Sequence, residues 1–120
     1  MTDLIKQLAN EYPVVLSQDV IWGDMDAFGH INNTVYFRYF EDARIAYFGR
    51  VGIHEHMKRF NVGPILATTQ CSFRLPLDYP DRIPIATRAK ILSAKKFITE
   101  YVVFSERLGA VNAEEDGLIV

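Results

Sequence analysis

The segment from Trp22 to Tyr36, WGDMDAFGHINNTVY, concentrates side chains whose types could do chemistry. It holds two aspartates, one histidine, two asparagines and two glycines between a predicted strand and a predicted helix. A carboxylate or an imidazole can act as a nucleophile or a general base, and rigid scaffolds often present such groups on short loops. The same composition also fits a structural loop, in which one aspartate fixes a turn and an asparagine or Thr34 caps the helix.

The sequence gives little support for a metal site, and we predict none. The spacing DMDAFG matches the first, third and sixth positions of a calcium loop, but Phe28 occupies a ligand position and Val35 replaces the terminal glutamate. His54 and His56 have no cysteine or carboxylate cluster at a credible spacing, so we interpret them as part of a solvated loop.

Cys71 and a basic pair are weaker candidates for chemistry. Cys71 lies in an alternating segment, where a small buried hydrophobic side chain is the expected role. Lys95 and Lys96 could meet a phosphate, but a basic hairpin turn is common.

A long helix must follow the candidate loop and position it. Residues 34–50 contain neither glycine nor proline before Gly49. Apolar side chains recur there at spacings of three and four: Tyr36, Tyr39, Phe40, Ala43 and Tyr47. Val35, Phe37 and Phe48 widen this surface beyond one stripe, which predicts a helix largely enclosed by other elements.

The rest of the chain predicts a short helix and a set of strands. Residues 2–11 place Leu4, Ile5 and Leu8 at helical spacing after a possible Thr2 cap, and Pro13 ends the segment. Alternation and β-branched content predict strands over residues 14–21, 65–73, 83–91, 97–106 and 110–120. This order is typical of an α+β domain, in which a curved antiparallel sheet wraps one helix.

Composition limits the class of protein. The chain has 120 residues, 49% of them hydrophobic, 13 basic and 15 acidic side chains and one cysteine, which indicates one globular domain. The near-neutral charge argues against nucleic-acid binding, and no apolar run approaches the ~20 residues of a membrane span. The single cysteine and the lack of a signal segment favour an unprocessed cytoplasmic protein.

The segment DMDAFGHINNTVYFRYFEDARIAYF resembles the signature of hotdog-fold acyl-CoA thioesterases of the 4-hydroxybenzoyl-CoA thioesterase type. Its D-x-D-x-x-x-H-[IV]-N-N element is also similar to that of plant acyl-ACP thioesterases. The resemblance implies a hotdog fold, with one long central helix, and hydrolysis of an acyl-CoA thioester without a cofactor. It also implies a homodimer or a dimer of dimers, with the active site at the dimer interface.

The resemblance carries over to individual residues. Asp26 matches the catalytic carboxylate, and Asn33 matches the position whose backbone amide points at the thioester carbonyl. His30 matches the histidine of the acyl-ACP branch, but Phe28 stands where that branch has a catalytic asparagine, so Asp26 ranks above His30. His30 either orients Asp26 or a water, or holds the loop.

General chemistry agrees with these assignments. Free N–H groups in the first turn of a helix, here at Asn33 and Thr34, can stabilise a developing oxyanion by ~3 kcal/mol. Asp26 could attack the carbonyl or act as a base on a water. Phe28 and Tyr36 could contact the substrate or pack in the core. We expect Asp24 to be structural, bonding loop amides or a basic residue such as Arg44.

Two other functions remain open at this stage. A hotdog dehydratase uses a histidine with a carboxylate on acyl thioesters, and a non-catalytic module would only bind an acyl-CoA. We also expect residues 1–120 to be a single hotdog domain that lacks the end of its last strand, because the hotdog sheet continues past the position of Val120.

Overall fold

The computed structural model describes residues 2–61 and 63–120, apart from the side chains of residues 2–5 and 54. The elements are helix α1 (Thr2–Glu11), strand β1 (Val14–Asp19), helix α2 (Asn33–Val51), helix α3 (Ile53–Phe60) and strands β2 (Leu66–Phe73), β3 (Arg82–Ser93), β4 (Lys96–Ser105) and β5 (Ala110–Ile119). One turn of 3₁₀ helix, Trp22–Asp24, interrupts the segment between β1 and α2. In the described part of the chain, no helix is long and apolar enough to cross a membrane.

The five strands form one antiparallel sheet in the order β1-β3-β4-β5-β2. Helix α2 packs on its inner face, over β1, β3 and β4. The core between them contains buried aromatic and aliphatic side chains, among them Tyr36, Phe40, Ile85, Tyr101 and Val103. This is the hotdog arrangement and confirms the predicted α+β class.

Helix α1 covers part of the opposite, outer face of the sheet. Leu8 and Tyr12 pack against Ala86 and Val102. Burying these apolar side chains against the sheet is what holds a ten-residue helix that would be marginal in isolation. The side chains of Thr2, Leu4 and Ile5, on which the predicted cap and apolar spacing depend, lie outside the described part of the structure.

The prediction that His54 and His56 lie in a solvated loop is wrong, because both residues belong to α3. Gly52, with φ of 79°, ends α2 in the left-handed conformation and lets α3 start at once in a new direction. Asn61 ends α3 in the same conformation. Most of α3 is exposed, so its sequence lacks the buried stripe by which longer helices are predicted.

The predicted enclosure of α2 is only partial in the single chain. Phe37 and Ile45 are 41% and 52% exposed, although Tyr36 and Phe40 on the other side of the helix are buried. Every residue of the edge strand β2 except Cys71 is also exposed. The helix packs mostly over β1, β3 and β4, and near its start Tyr36 also contacts Phe73 at the end of β2.

Candidate active site

The loop between β1 and α2 is closed by its own backbone hydrogen bonds. The Asp26 N–H donates to the His30 carbonyl at 2.8 Å, and the Gly29 N–H donates to the Asp26 carbonyl at 3.1 Å. Gly29 has φ of 77°, a conformation that glycine adopts without steric cost. The Asn32 N–H donates to the Asp24 carbonyl at 3.1 Å and fixes the loop to the helix start. The sequence therefore forms a tight turn at the point where its polar residues cluster.

Five of the six predicted site residues line one cavity of about 440 Å³: Asp26, Phe28, His30, Asn33 and Tyr36. The sixth, Thr34, is not part of its wall. The opposite wall comes from residues 73–76, the end of β2 and the turn after it. Sequence reasoning missed this wall, because only the pairing of the sheet brings residues 73–76 beside the helix start.

Asp26 has one carboxylate oxygen engaged and one available. Its Oδ1 accepts a hydrogen bond from the Phe28 N–H at 2.9 Å, which fixes the carboxylate on the turn. Within residues 2–61 and 63–120, no donor bonds its Oδ2. The side chain is partly buried and lines the cavity, so the turn holds a carboxylate with one free oxygen at this wall.

The N-terminus of α2 presents one free amide. Asn32 is the N-cap, and its Oδ1 accepts from the Thr34 N–H at 3.0 Å. The Val35 N–H donates to the Asn32 carbonyl at 2.9 Å. Of these first-turn amides only the Asn33 N–H has no acceptor among the residues that the structure describes. The sequence predicted oxyanion donors at the amides of both Asn33 and Thr34. Only the Asn33 amide remains a candidate, because the Thr34 amide is bonded to the capping side chain of Asn32.

Tyr36 forms the floor of the cavity. It is 2% exposed, and its ring meets the Phe73 ring edge-on with 5.0 Å between centroids. Burial raises the pKa of Tyr36, so the phenol stays protonated at neutral pH. Phe28, by contrast, is 85% exposed at the rim.

Asp24 lies beside a basic residue, as predicted, but that residue is Arg38 and not Arg44. Asp24 Oδ1 lies 3.8 Å from Nη1 of Arg38, which is close to the helix start. Arg44 comes six residues later, about 9 Å further along the helix axis. Its charge instead acts on Tyr101 and on the buried Glu115 of β5.

A second carboxylate, outside the segment that the sequence singles out, lies beside the site. Asp78 Oδ1 is 3.9 Å from His30 Nε2. Its position depends on the backbone bond from the Ile31 N–H to the Leu77 carbonyl, at 2.8 Å. No local sequence pattern signals a contact of this kind.

The weaker candidates lie away from this cavity. Burial, reinforced by Glu115, raises the pKa of the Cys71 thiol to about 12, which makes it a poor nucleophile at neutral pH. Lys95 and Lys96 line an apolar groove together with α3 residues. In the part of the chain that the structure describes, no three histidine, cysteine or carboxylate side chains are grouped as metal ligands.

The cavity and helix α2, whose N-terminus lies at the cavity, belong to a region that is shared with known proteins. The family model of the thioesterase-like superfamily matches residues 20–120. The protein belongs to this superfamily. The match spans the candidate loop, α2 and strands β2 to β5, and therefore includes every residue of the cavity described above.

Three relatives of this thioesterase-like protein have informative names. A putative esterase from Aquifex aeolicus (strain VF5) is 28% identical over 102 residues, which is 84% of this chain and 80% of that protein. A putative thioesterase from Pseudomonas aeruginosa is 27% identical with a TM-score of 0.75, covering 88% of this chain and 81% of that one. A thioesterase from Thermus thermophilus, complexed with coenzyme A and Zn, is 28% identical with a TM-score of 0.77, covering 91% and 78%.

Proposed function

We propose that this protein hydrolyses an acyl-CoA thioester to a free acid and CoA. The observation that carries the proposal is the shared cavity of Asp26 and the unpartnered Asn33 amide, among the described residues, at the start of a packed helix. Thioester hydrolysis needs a nucleophile or base near the carbonyl carbon and a donor near its oxygen. The coenzyme A held by the Thermus relative supports a CoA ester as the substrate.

Asp26 supplies the reactive oxygen in this proposal. It either attacks the carbonyl carbon to give a mixed anhydride, with CoA leaving as its thiolate, or removes a proton from an attacking water. In both routes negative charge develops on the carbonyl oxygen. The Asn33 N–H, aided by the positive end of the α2 dipole, stabilises that charge.

The acyl group would lie against Tyr36, with Phe28 at the rim. Tyr36 and Phe73 give the cavity an aromatic side, which suits a flat or extended apolar acyl group. A panel that contains short, long and aromatic acyl-CoAs distinguishes between these acyl groups directly.

We further propose that two copies pair and complete the site. Support comes from the exposed edge strand β2 and from Phe37 and Ile45 on the uncovered side of α2. An open strand edge next to exposed apolar side chains favours pairing with a second copy. Phe73 lies on β2 and in the cavity wall, so the partner would reach the same cavity.

The test is a thiol-release assay over the acyl-CoA panel, comparing the wild type with Asp26→Asn. Asp26→Asn preserves the size of the side chain and removes the nucleophile, so we expect kcat to fall by at least ~10²-fold while the fold is retained. Asp116→Asn, at an exposed position on β5, is the matched control and should keep full activity.

Other outcomes would point to other functions. Full activity in Asp26→Asn would remove the proposed mechanism. Hydration of an enoyl-CoA without thiol release would indicate the dehydratase alternative. Binding of CoA esters with no turnover of any panel member would identify an acyl-CoA-binding module and overturn the proposal.

A further inference from the structure

We propose that Asp78 is a positioning residue of this site, which accepts a hydrogen bond from the His30 Nε2–H and so leaves Nδ1 of that imidazole as a proton acceptor. The inference rests on the proposed hydrolysis and deepens it. It assigns a role to a carboxylate that lies outside the DMDAFGHINN segment and outside the cavity wall itself.

The two side chains are brought together by a buried backbone contact. The Ile31 N–H donates to the Leu77 carbonyl at 2.8 Å, and both residues are buried in the core. His30 directly precedes Ile31, and Asp78 directly follows Leu77. The core therefore fixes the separation of the two loops at the place where this pair meets.

One oxygen of the Asp78 carboxylate lacks a donor, although the side chain as a whole is 42% exposed. Asp78 Oδ1 is buried, and among the described residues it has no hydrogen-bond partner. His30 Nε2 lies 3.9 Å from it, so a side-chain adjustment of about 1 Å gives a normal hydrogen bond. Buried carboxylate oxygens are seldom left without a partner in folded proteins.

His30 Nε2 is the donor that the structure places closest to the Asp78 carboxylate, at 3.9 Å. Tyr36 also lies near Asp78, since the charge of Asp78 contributes to the raised pKa of that phenol after the larger effect of burial. Asp26 lines the same cavity and can only accept when it is ionised, and Arg74 lies in the opposite wall. Arg74 is bonded to Glu114 at 2.7 Å, which holds its guanidinium elsewhere.

The chemical consequence is a defined tautomer of His30. A neutral imidazole whose Nε2–H is held by a carboxylate has its lone pair on Nδ1. In the route through the mixed anhydride, the attacking water oxygen bonds to the acyl carbonyl carbon and its proton passes to Nδ1. The bond from that carbon to the Asp26 oxygen breaks, and the proton on Nδ1 then goes to the released Asp26 carboxylate or to solvent.

The kinetic test compares Asp78→Asn, His30→Gln and the double variant, with Asp116→Asn as the control. We expect Asp78→Asn to lower kcat about 10–100-fold, a loss typical of removing the partner that orients a histidine, with little change in KM. The double variant should be no slower than His30→Gln, because Asp78 acts only through the imidazole. The proposal is overturned if the fold-loss of kcat in the double variant equals the product of the two single losses. It is also overturned if Asp78→Asn keeps the wild-type kcat.

A second measurement does not depend on turnover. Nitrogen-15 NMR of histidine-labelled protein reports which ring nitrogen carries the proton. We expect the Nε2–H form at His30 in the wild type and a mixture in Asp78→Asn, with the two α3 histidines unchanged as internal references. If Asp78→Asn does not fold, Asp78→Ser makes the same comparison.

The two readouts separate this proposal from the proposed function. If His30 has the expected tautomer but the protein hydrolyses no CoA ester, the His30–Asp78 hydrogen bond is supported and the proposed hydrolysis is refuted. If hydrolysis depends on Asp26 but the His30 tautomer is the same in wild type and Asp78→Asn, only the positioning role of Asp78 is refuted.

Discussion

At the start of α2, two neighbouring asparagines have different tasks. The Asn32 side chain accepts from the Thr34 amide and is the cap, while the Asn33 amide has no acceptor among the described residues. The DMDAFGHINN sequence predicted the location of these residues, but it did not predict which one would cap the helix. That choice depends on the backbone angles of Asn32, which only the folded chain shows.

This difference allows the oxyanion donor to be removed without breaking the helix. Asn33 is the first residue of α2, where proline is well tolerated because its missing N–H would have no helical acceptor. Asn32 has φ of −59° and ψ of 137°, which is the conformation that a following proline requires. We expect Asn33→Pro to lower kcat about 10²–10³-fold with little change in Tm.

Asn33→Ala keeps the amide and is the matched control, so it should stay close to wild-type kcat. The measurement is steady-state thiol release together with a thermal melt of each variant. Full activity in Asn33→Pro would show that another group binds the carbonyl oxygen.

At the scale of elements, the prediction succeeded where the signal is local. Alternation along β2 to β5 and the aromatic spacing of α2 predicted each element to within a few residues. The approach of Asp78 to His30 and the effect of Arg44 on Glu115 could not be predicted. Both depend on contacts between elements that are distant in sequence. α3 was missed because a short exposed helix leaves a weak apolar pattern.

Glu115 shows how one of these contacts joins two strands and a helix. It is 2% exposed on β5, accepts a hydrogen bond from Thr69 of β2, and feels the charge of Arg44 on α2. Burial raises its pKa, and the Thr69 hydrogen bond and Arg44 oppose that shift without cancelling it. Burial of this acid therefore favours its neutral form in the folded protein.

The raised pKa has a defined effect on stability. A group whose folded-state pKa is raised contributes stability below its ordinary value of 4.5, and that contribution is lost as the pH rises through the folded-state pKa. Glu115→Gln cannot ionise and still offers Thr69 an acceptor. We expect its free energy of unfolding, relative to wild type, to increase between pH 4.5 and neutral pH.

Urea denaturation at both pH values measures this difference. Glu114→Gln is the control, because the neighbouring carboxylate lies on the outer face and is partly exposed. A constant difference between Glu115→Gln and wild type across this range would mean that folding does not raise the pKa of Glu115.

At the scale of the whole molecule, the proposed pairing depends on the exposed side of α2 and on the open edge of β2. Ile45 is 52% exposed, so Ile45→Glu should cost the single chain little. A glutamate buried in a helix-to-helix interface would be strongly unfavourable. We expect Ile45→Glu to run as a monomer in light scattering and to lose most of its thiol release.

Ile91→Glu is the control for this experiment, because Ile91 is 81% exposed at the β3–β4 turn. It should keep the wild-type mass and activity. A monomeric wild type with full activity would contradict the proposed pairing.

In the proposed pair, helix α1 would also limit further association through the outer face of the sheet. It lies across the outer face of the sheet, where Leu8 and Tyr12 cover Ala86 and Val102. Two sheets therefore cannot stack back to back over β3 and β4 while α1 is in place. Shortening the chain by residues 2–11 would expose an apolar strip there, so the length of the amino terminus would govern assembly as well as stability.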